Sequence, residues 1–197
     1  MQKASYNKVV KNKQEDHNNM ELSNVIIRHA ALSDLKQIEK MESACFPKSE
    51  AASLDSFQKR LETYPNHFWL MEKDGMIVSG INGLVANTAT LTDEMFAHPE
   101  LHDENGMWQM IFGVTTLPEY QGKGYASMLM RRVIDDCSAQ GRKGIVLTCK
   151  KNLIPFYEQF GYQNQGLSHS EHGGATWYEM RLLYTNTDQT PPIRPAQ

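Results

Sequence analysis

The residues best suited to chemistry lie in one stretch, Val114-Thr-Thr-Leu-Pro-Glu-Tyr-Gln121-Gly122-Lys123-Gly124-Tyr125-Ala126. An apolar run enters a glycine turn that opens onto a helical pattern. Amide N–H groups at a helix start lack intrahelical partners and carry partial positive charge. Glycines at 122 and 124 leave the backbone open to a phosphate, and Lys123 adds a cation at the rim. The chemistry implied is the grip of a diphosphate. A plain strand-to-helix turn is the other reading of so short a motif. No G-K-[ST] triplet makes it a nucleoside-triphosphate loop, and the third glycine of a dinucleotide fingerprint is missing.

The rest of the chain must position this turn. Its 197 residues carry a formal charge of −3 and are 40% hydrophobic, enough for one packed domain without a basic footprint for nucleic acid. No apolar run reaches membrane-spanning length, so no membrane partner is expected. Residues 1–23 read as a flexible polar leader and 185–197, with three prolines, as a flexible tail. The domain is then 24–184. Three cysteines without C-x-x-C spacing point to a reducing, cytoplasmic setting rather than a disulfide framework.

Within the domain, Val25–Arg28 reads as a strand. Leu35, Ile38 and Met41 share a helix face, with Ser33 or Asp34 as its cap. Pro47 ends that helix, and Ser53 caps another through Leu61. His67–Met71 and Met76–Ile81 read as a hairpin about Asp74-Gly75, and Met107–Thr115 as one buried central strand. Ala126, Leu129, Met130, Val133, Ile134 and Cys137 line one face of a long helix. Ile145–Cys149 is a further strand, Asn152 caps a short helix through Phe160, and Trp177–Tyr184 is the last strand. The class is mixed α/β (α+β), with helices around a central sheet.

The sequence resembles the GNAT superfamily of N-acetyltransferases. Gln121-x-x-Gly124-x-Ala126 fits its Q/R-x-x-G-x-G/A signature. About thirty residues on, Asn152-Leu-Ile-Pro155-Phe156-Tyr157-Glu-Gln-Phe160-Gly161-Tyr162 looks like its second motif. The arylalkylamine (serotonin-type) branch is most similar, through the P-F-Y-E-x-F-G-Y stretch, V-L-T-C before it, and the insertion before Met107. The resemblance implies a mixed, mostly antiparallel sheet splayed at its middle strand. It implies acetyl-CoA as co-substrate, no metal, and a small-molecule primary amine as acceptor, in a monomer or homodimer. Phe112, Gly113 and Val114 would face the pantetheine arm. Gln121, Gly122, Lys123, Gly124, Tyr125, Ala126 and Ser127 would hold the diphosphate, and Asn152 and Tyr157 would contact the cofactor. Tyr157 would also protonate the leaving thiolate. Phe46 and Pro47, with Trp108 and Met110, would form an apolar acceptor slot.

The implied reaction is direct attack of a neutral amine on the thioester. An alkylamine of pKa near 10.4 is neutral in only about one molecule in a few thousand at pH 7, so a proton path is required. The branch's H-x-H pair falls on Trp108 and Met110 here, neither of which takes a proton. Glu94, Glu100, Asp103 and Glu104 in the insertion, or Glu50 after Pro47, are the substitute carboxylates. The missing histidines keep two alternatives open: a non-catalytic acyl-CoA sensor, and an acetyltransferase acting on a protein amine. His98/His102 and His169/His172 have metal-compatible spacing but belong to no metal motif. Cys149 reads as a structural thiol.

Overall fold

The computed structural model describes residues 24–184; the leader and tail lie outside the described residues. Nine strands run in chain order: β1 (Val25–His29), β2 (Phe68–Lys73), β3 (Met76–Asn82), β4 (Val85–Ala86), β5 (Trp108–Ile111), β6 (Gly113–Thr116), β7 (Gly144–Cys149), β8 (Gln163–Leu167) and β9 (Tyr178–Leu183). Five α-helices accompany them: α1 (Leu35–Cys45), α2 (Leu54–Thr63), α3 (Glu94–Ala97), α4 (Tyr125–Ala139) and α5 (Ile154–Glu158). Strand order is β1-β2-β3-β6 in one sheet and β4-β5-β7-β9-β8 in the other. Every pairing is antiparallel except β5 with β7.

Alternation along β2 divides the core. Trp69 and Met71 face Leu129, Met130 and Val133 of α4, while Phe68 and Leu70 face Ile38 and Met41 of α1 and Phe57 and Leu61 of α2. The first sheet is thus covered on both faces. The β2–β3 turn is the expected two-residue hairpin, with Asp74 and Gly75 both at positive φ. Ser53 caps α2 by accepting from the Ser56 amide at 3.1 Å. Asp34, one of the two expected caps, stands at the N-cap of α1, but its side chain makes no cap bond to the helix. A short 3-10 turn, Leu32–Asp34, precedes the helix, and Asp34 accepts from the Ala31 amide and from Arg28 instead.

The expected central strand is broken. Trp108–Ile111 pairs with β7 and β4, whereas Gly113–Thr116 leaves β7 and pairs with β3. Between Asn82↔Gly113 and Val85↔Gln109 the partner strand advances by one residue fewer, so the β5–β6 strand bulges about Phe112. Gly83 makes this possible, because a Cβ there would sit 1.7 Å from the Met110 carbonyl oxygen. Gly83→Ala is therefore expected to destabilise the fold by at least about 3 kcal/mol, the upper range of overpacking. A urea midpoint within error of the parent would contradict this close approach.

Two further elements differ from the sequence reading. The polar segment Gln163–Leu167 is a strand, β8, held at the sheet edge by β9 alone. Asn152 lies within a 3-10 turn, Lys151–Leu153, that leads into α5 rather than at a cap. Among the described residues, no helix is long and apolar enough to cross a membrane.

Candidate active site

The bulge opens the sheets. β5 pairs with β7 as far as Ile111↔Leu147, and beyond it β6 diverges from Thr148 and Cys149. β6 is the terminal strand of its sheet, so its outer edge faces the opening. An edge of this kind offers unpaired backbone groups to an extended ligand. At its end, the Thr116 carbonyl accepts from Gln121 Nε2 at 2.9 Å, which ties the glycine turn to the strand.

The turn then enters α4. Gly122 has φ +73° and Gly124, the residue before the helix, φ +85°. A Cβ at either would meet no atom of the described residues within 4 Å. Positive φ, rather than packing, is what demands glycine here. Among the described residues, no side chain makes a cap bond to this helix and no acid occupies its first turn, so the partial positive charge of the helix start is directed toward an anion. Tyr120 and Tyr125 stack edge-on beside the turn, and Lys123 lies over the Tyr120 ring.

Tyr157 stands on α5, which follows β7 across the opening. It is buried, and its ring packs against Phe156 and Tyr162. Burial first, and proximity to Cys149 second, push its hydroxyl well above the ordinary tyrosine value, so it keeps its proton at neutral pH. Burial also pushes the Cys149 thiol up to about 11, which leaves it a thiol rather than a thiolate.

On the other side of the bulge lies a cleft of about 340 Å³, floored by Phe112, Gly113 and Thr148. Phe46, Phe96 and Trp177 supply aromatic walls, and Glu42, Glu50, Asp93 and Arg60 supply charge. The Arg60 guanidinium is buried against the Phe112 ring at 4.9 Å and donates to Asn82 Oδ1 and the Phe96 carbonyl, both at 3.0 Å. Two loops meet over this cleft. His172 Nε2 donates to the Glu50 carbonyl at 3.0 Å, and its ring stacks on Phe96 at 4.7 Å. Asp93 accepts from the Ser170 hydroxyl and the Glu171 amide, and Trp177 Nε1 donates to the His172 carbonyl.

A profile of the acetyltransferase (GNAT) family matches residues 35–162. The chain belongs to that family. Serotonin N-acetyltransferase of Mesocricetus auratus is 27% identical over 110 residues, spanning 55% of this chain and 52% of that protein. The match thus spans only about half the length of that curated relative. The loading GNATL domain of CurA from Lyngbya majuscula superposes with a TM-score of 0.71 at 17% identity, covering 81% of this chain and 97% of that domain. The GphF GNAT-like decarboxylase, solved with isobutyryl-CoA, gives 0.70 at 18% identity, covering 80% and 98%.

This GNAT-family chain brings together some of the residues singled out from sequence and separates others. Phe46, Phe112 and Gly113 line the cleft. Pro47 is exposed outside it. Met110 is wholly buried among Tyr64, Leu84, Met95 and Val146, and Trp108 packs against that cluster beneath the Arg181 guanidinium. Neither lines the cleft, because residues before the bulge belong to the second sheet. Of the five substitute carboxylates only Glu50 lines it. Glu94 is exposed on α3, Glu100 pairs with His98, and Asp103 accepts from Asn87 and the Asn105 amide.

Glu104 serves a different purpose. Its Oε2 lies 3.0 Å from His67 Nε2 and 3.2 Å from His102 Nε2, and its Oε1 accepts from Arg142 at 3.0 Å. Arg142 also donates to the Glu104 and Gly106 carbonyls, which ties the insertion to the sheet. The three ligand-type atoms of His67, His102 and Glu104 lie within 4.8 Å of one another. His102 Nδ1, however, accepts from the Val85 amide, so its Nε2 carries the ring proton and donates to Glu104 rather than offering a lone pair. Sequence spacing could not reveal this cluster, since His67 comes from a distant segment.

Two rings, His29 and His102, make stability depend on pH. Burial holds both His29 and His102 below the ordinary histidine value. A depressed folded value means that the contribution is present above the unfolded value near 6.5 and is lost as pH falls. Burial works against the Glu104 charge, but His67, His102 and Arg142 hold the carboxyl below its usual range, adding a loss at lower pH. Buried Glu42, raised by desolvation, works in the opposite sense. Urea midpoints are expected to fall as pH drops from 6.5 to 5, and His29→Phe is expected to flatten the slope. A level profile in the parent would contradict the neutral buried rings.

Proposed function

We propose that the protein transfers an acetyl group from acetyl-CoA to the primary amine of a small molecule by direct attack in a ternary complex. The observation that carries this reading is the juxtaposition of an opened strand edge, Gly113–Thr116, with an uncapped glycine-led helix start at Gly124. The amides of residues 122–127 hold the diphosphate, with Lys123 at its rim. The pantetheine arm lies along Phe112, Gly113 and Val114, near Asn152. Donors on the bulged strand stabilise the oxyanion. Tyr157, which keeps its proton, donates it to the departing thiolate. The neutral Cys149 thiol speaks against a covalent acetyl-enzyme.

The cleft beside the bulge receives the acceptor. Its carboxylates outnumber its single guanidinium, which favours a cation, and its aromatic walls suit an apolar body. The two loops joined over it by Glu50, His172, Asp93 and Ser170 favour a small molecule over a polypeptide. A screen of aromatic amines, polyamines and amino sugars with acetyl-CoA, reading thiol release, tests the function. Release above the no-amine rate is expected. CoA binding without amine-dependent release would instead identify a sensor.

A further inference from the structure

Among the described residues, one buried carboxylate oxygen that lines the cleft has no hydrogen-bond partner. Glu50 has a side chain only 8% exposed, and its Oε1 accepts from Lys150 Nζ at 2.7 Å. Its Oε2 is buried and has no hydrogen-bond partner among the described residues. A buried carboxylate oxygen left unsatisfied is costly, so a catalytic role, a bound group or a water has to account for it. The other cleft acids differ. Both Asp93 oxygens are used by Ser170 and Glu171. Glu42 accepts from the Ala52 amide and is raised by burial, which makes it the poorer partner for a cation. The backbone at Glu50 is fixed from above, because His172 binds its carbonyl and Gly173 packs against its side chain so closely that a Cβ would meet Glu50 Cγ at 2.5 Å.

Resting on the acetyltransferase reading, we propose that Glu50 Oε2 receives the acceptor as its ammonium ion and removes the proton that must leave before attack. The charged and titratable groups around Glu50 are its ion-pair partner Lys150 and, lining the same cleft, His172, Glu42, Arg60 and Asp93. Of these, Lys150 balances one oxygen and leaves the other to the substrate. The ammonium proton passes to Oε2, and the freed lone pair bonds to the thioester carbonyl carbon. The C–S bond breaks with its electron pair on sulfur, which takes the Tyr157 proton. The second proton leaving nitrogen replaces the tyrosine's, and Glu50 returns its own to solvent.

Glu50→Gln, Lys150→Gln and the parent are compared with 2-phenylethylamine, putrescine and glucosamine as probes, using the one the parent turns over fastest. Removal of a working proton acceptor is expected to lower kcat/KM of Glu50→Gln about 100-fold at pH 7. The deficit should shrink below about tenfold at pH 9.5, where a sizeable share of an alkylamine is already neutral. Coenzyme A affinity and melting temperature should match the parent. Lys150→Gln removes the balancing cation but keeps Oε2, so its deficit at pH 7 should be at least about tenfold smaller than that of Glu50→Gln. Three results would overturn the proposal alone: parent-like Glu50→Gln activity, a deficit equal at both pH values, or an equal loss in Lys150→Gln, which would make the ion pair structural. A parent that binds no coenzyme A and releases no thiol with any probe would overturn the acetyltransferase reading, and this proposal with it.

Discussion

Gly124→Val is expected to weaken coenzyme A binding by at least about 100-fold, or ~2.7 kcal/mol, while the protein remains folded. The residue sits at φ +85° at the mouth of α4 with no atom of the described residues near its missing side chain. A β-branched residue there pays about 1–2 kcal/mol for the left-handed conformation. That is a tolerable loss against the stability of a typical domain. The same side chain projects into the space through which a diphosphate must approach the amides, and a displaced phosphate loses several charge-assisted hydrogen bonds together. Titration calorimetry with coenzyme A, beside a urea melt, separates the two effects. Loss of stability with unchanged affinity would remove the turn from the cofactor site.

Tyr157→Phe is expected to lower kcat about 1000-fold, within the range for general acid catalysis, with little effect on the KM for acetyl-CoA. The hydroxyl is the only group removed; the ring stays packed against Phe156 and Tyr162. Burial keeps the phenol protonated at neutral pH, so it can serve as an acid but not as a base. A group acting only on the departing sulfur changes turnover rather than binding. Single-turnover thiol release by the variant provides the check. A kcat within threefold of the parent would place thiolate protonation elsewhere.

The strand–turn–helix geometry on which the proposed cofactor site rests was legible because its determinants are local. Gln121, Gly122 and Gly124 follow one another through a strand end, a turn and a helix start, so spacing alone conveys the geometry. The hairpin at Asp74-Gly75 and the Ser53 cap were readable for the same reason. The cleft proposed for the acceptor was not, because it joins segments far apart in the chain. Glu50 comes from one loop, Arg60 from α2, Asp93 from the insertion and His172 from a late loop. No periodicity links them. The break at Phe112 was hidden because Trp-Gln-Met-Ile-Phe-Gly-Val reads as one apolar run, and its cause is a contact between Gly83 and Met110 on another strand. Trp108 and Met110 were matched to the acceptor slot through the family resemblance, and both pack in the core of the second sheet instead of lining the cleft. The strand β8 carried no hydrophobic alternation, since its residues are largely exposed at a sheet edge.

The most direct test is a crystal structure of the protein with coenzyme A. The account predicts the diphosphate on the main-chain amides of residues 122–127 and the pantetheine hydrogen-bonded along Gly113–Thr116, with its sulfur beside Tyr157. Coenzyme A bound elsewhere, or a glycine turn that does not touch phosphate, would contradict it.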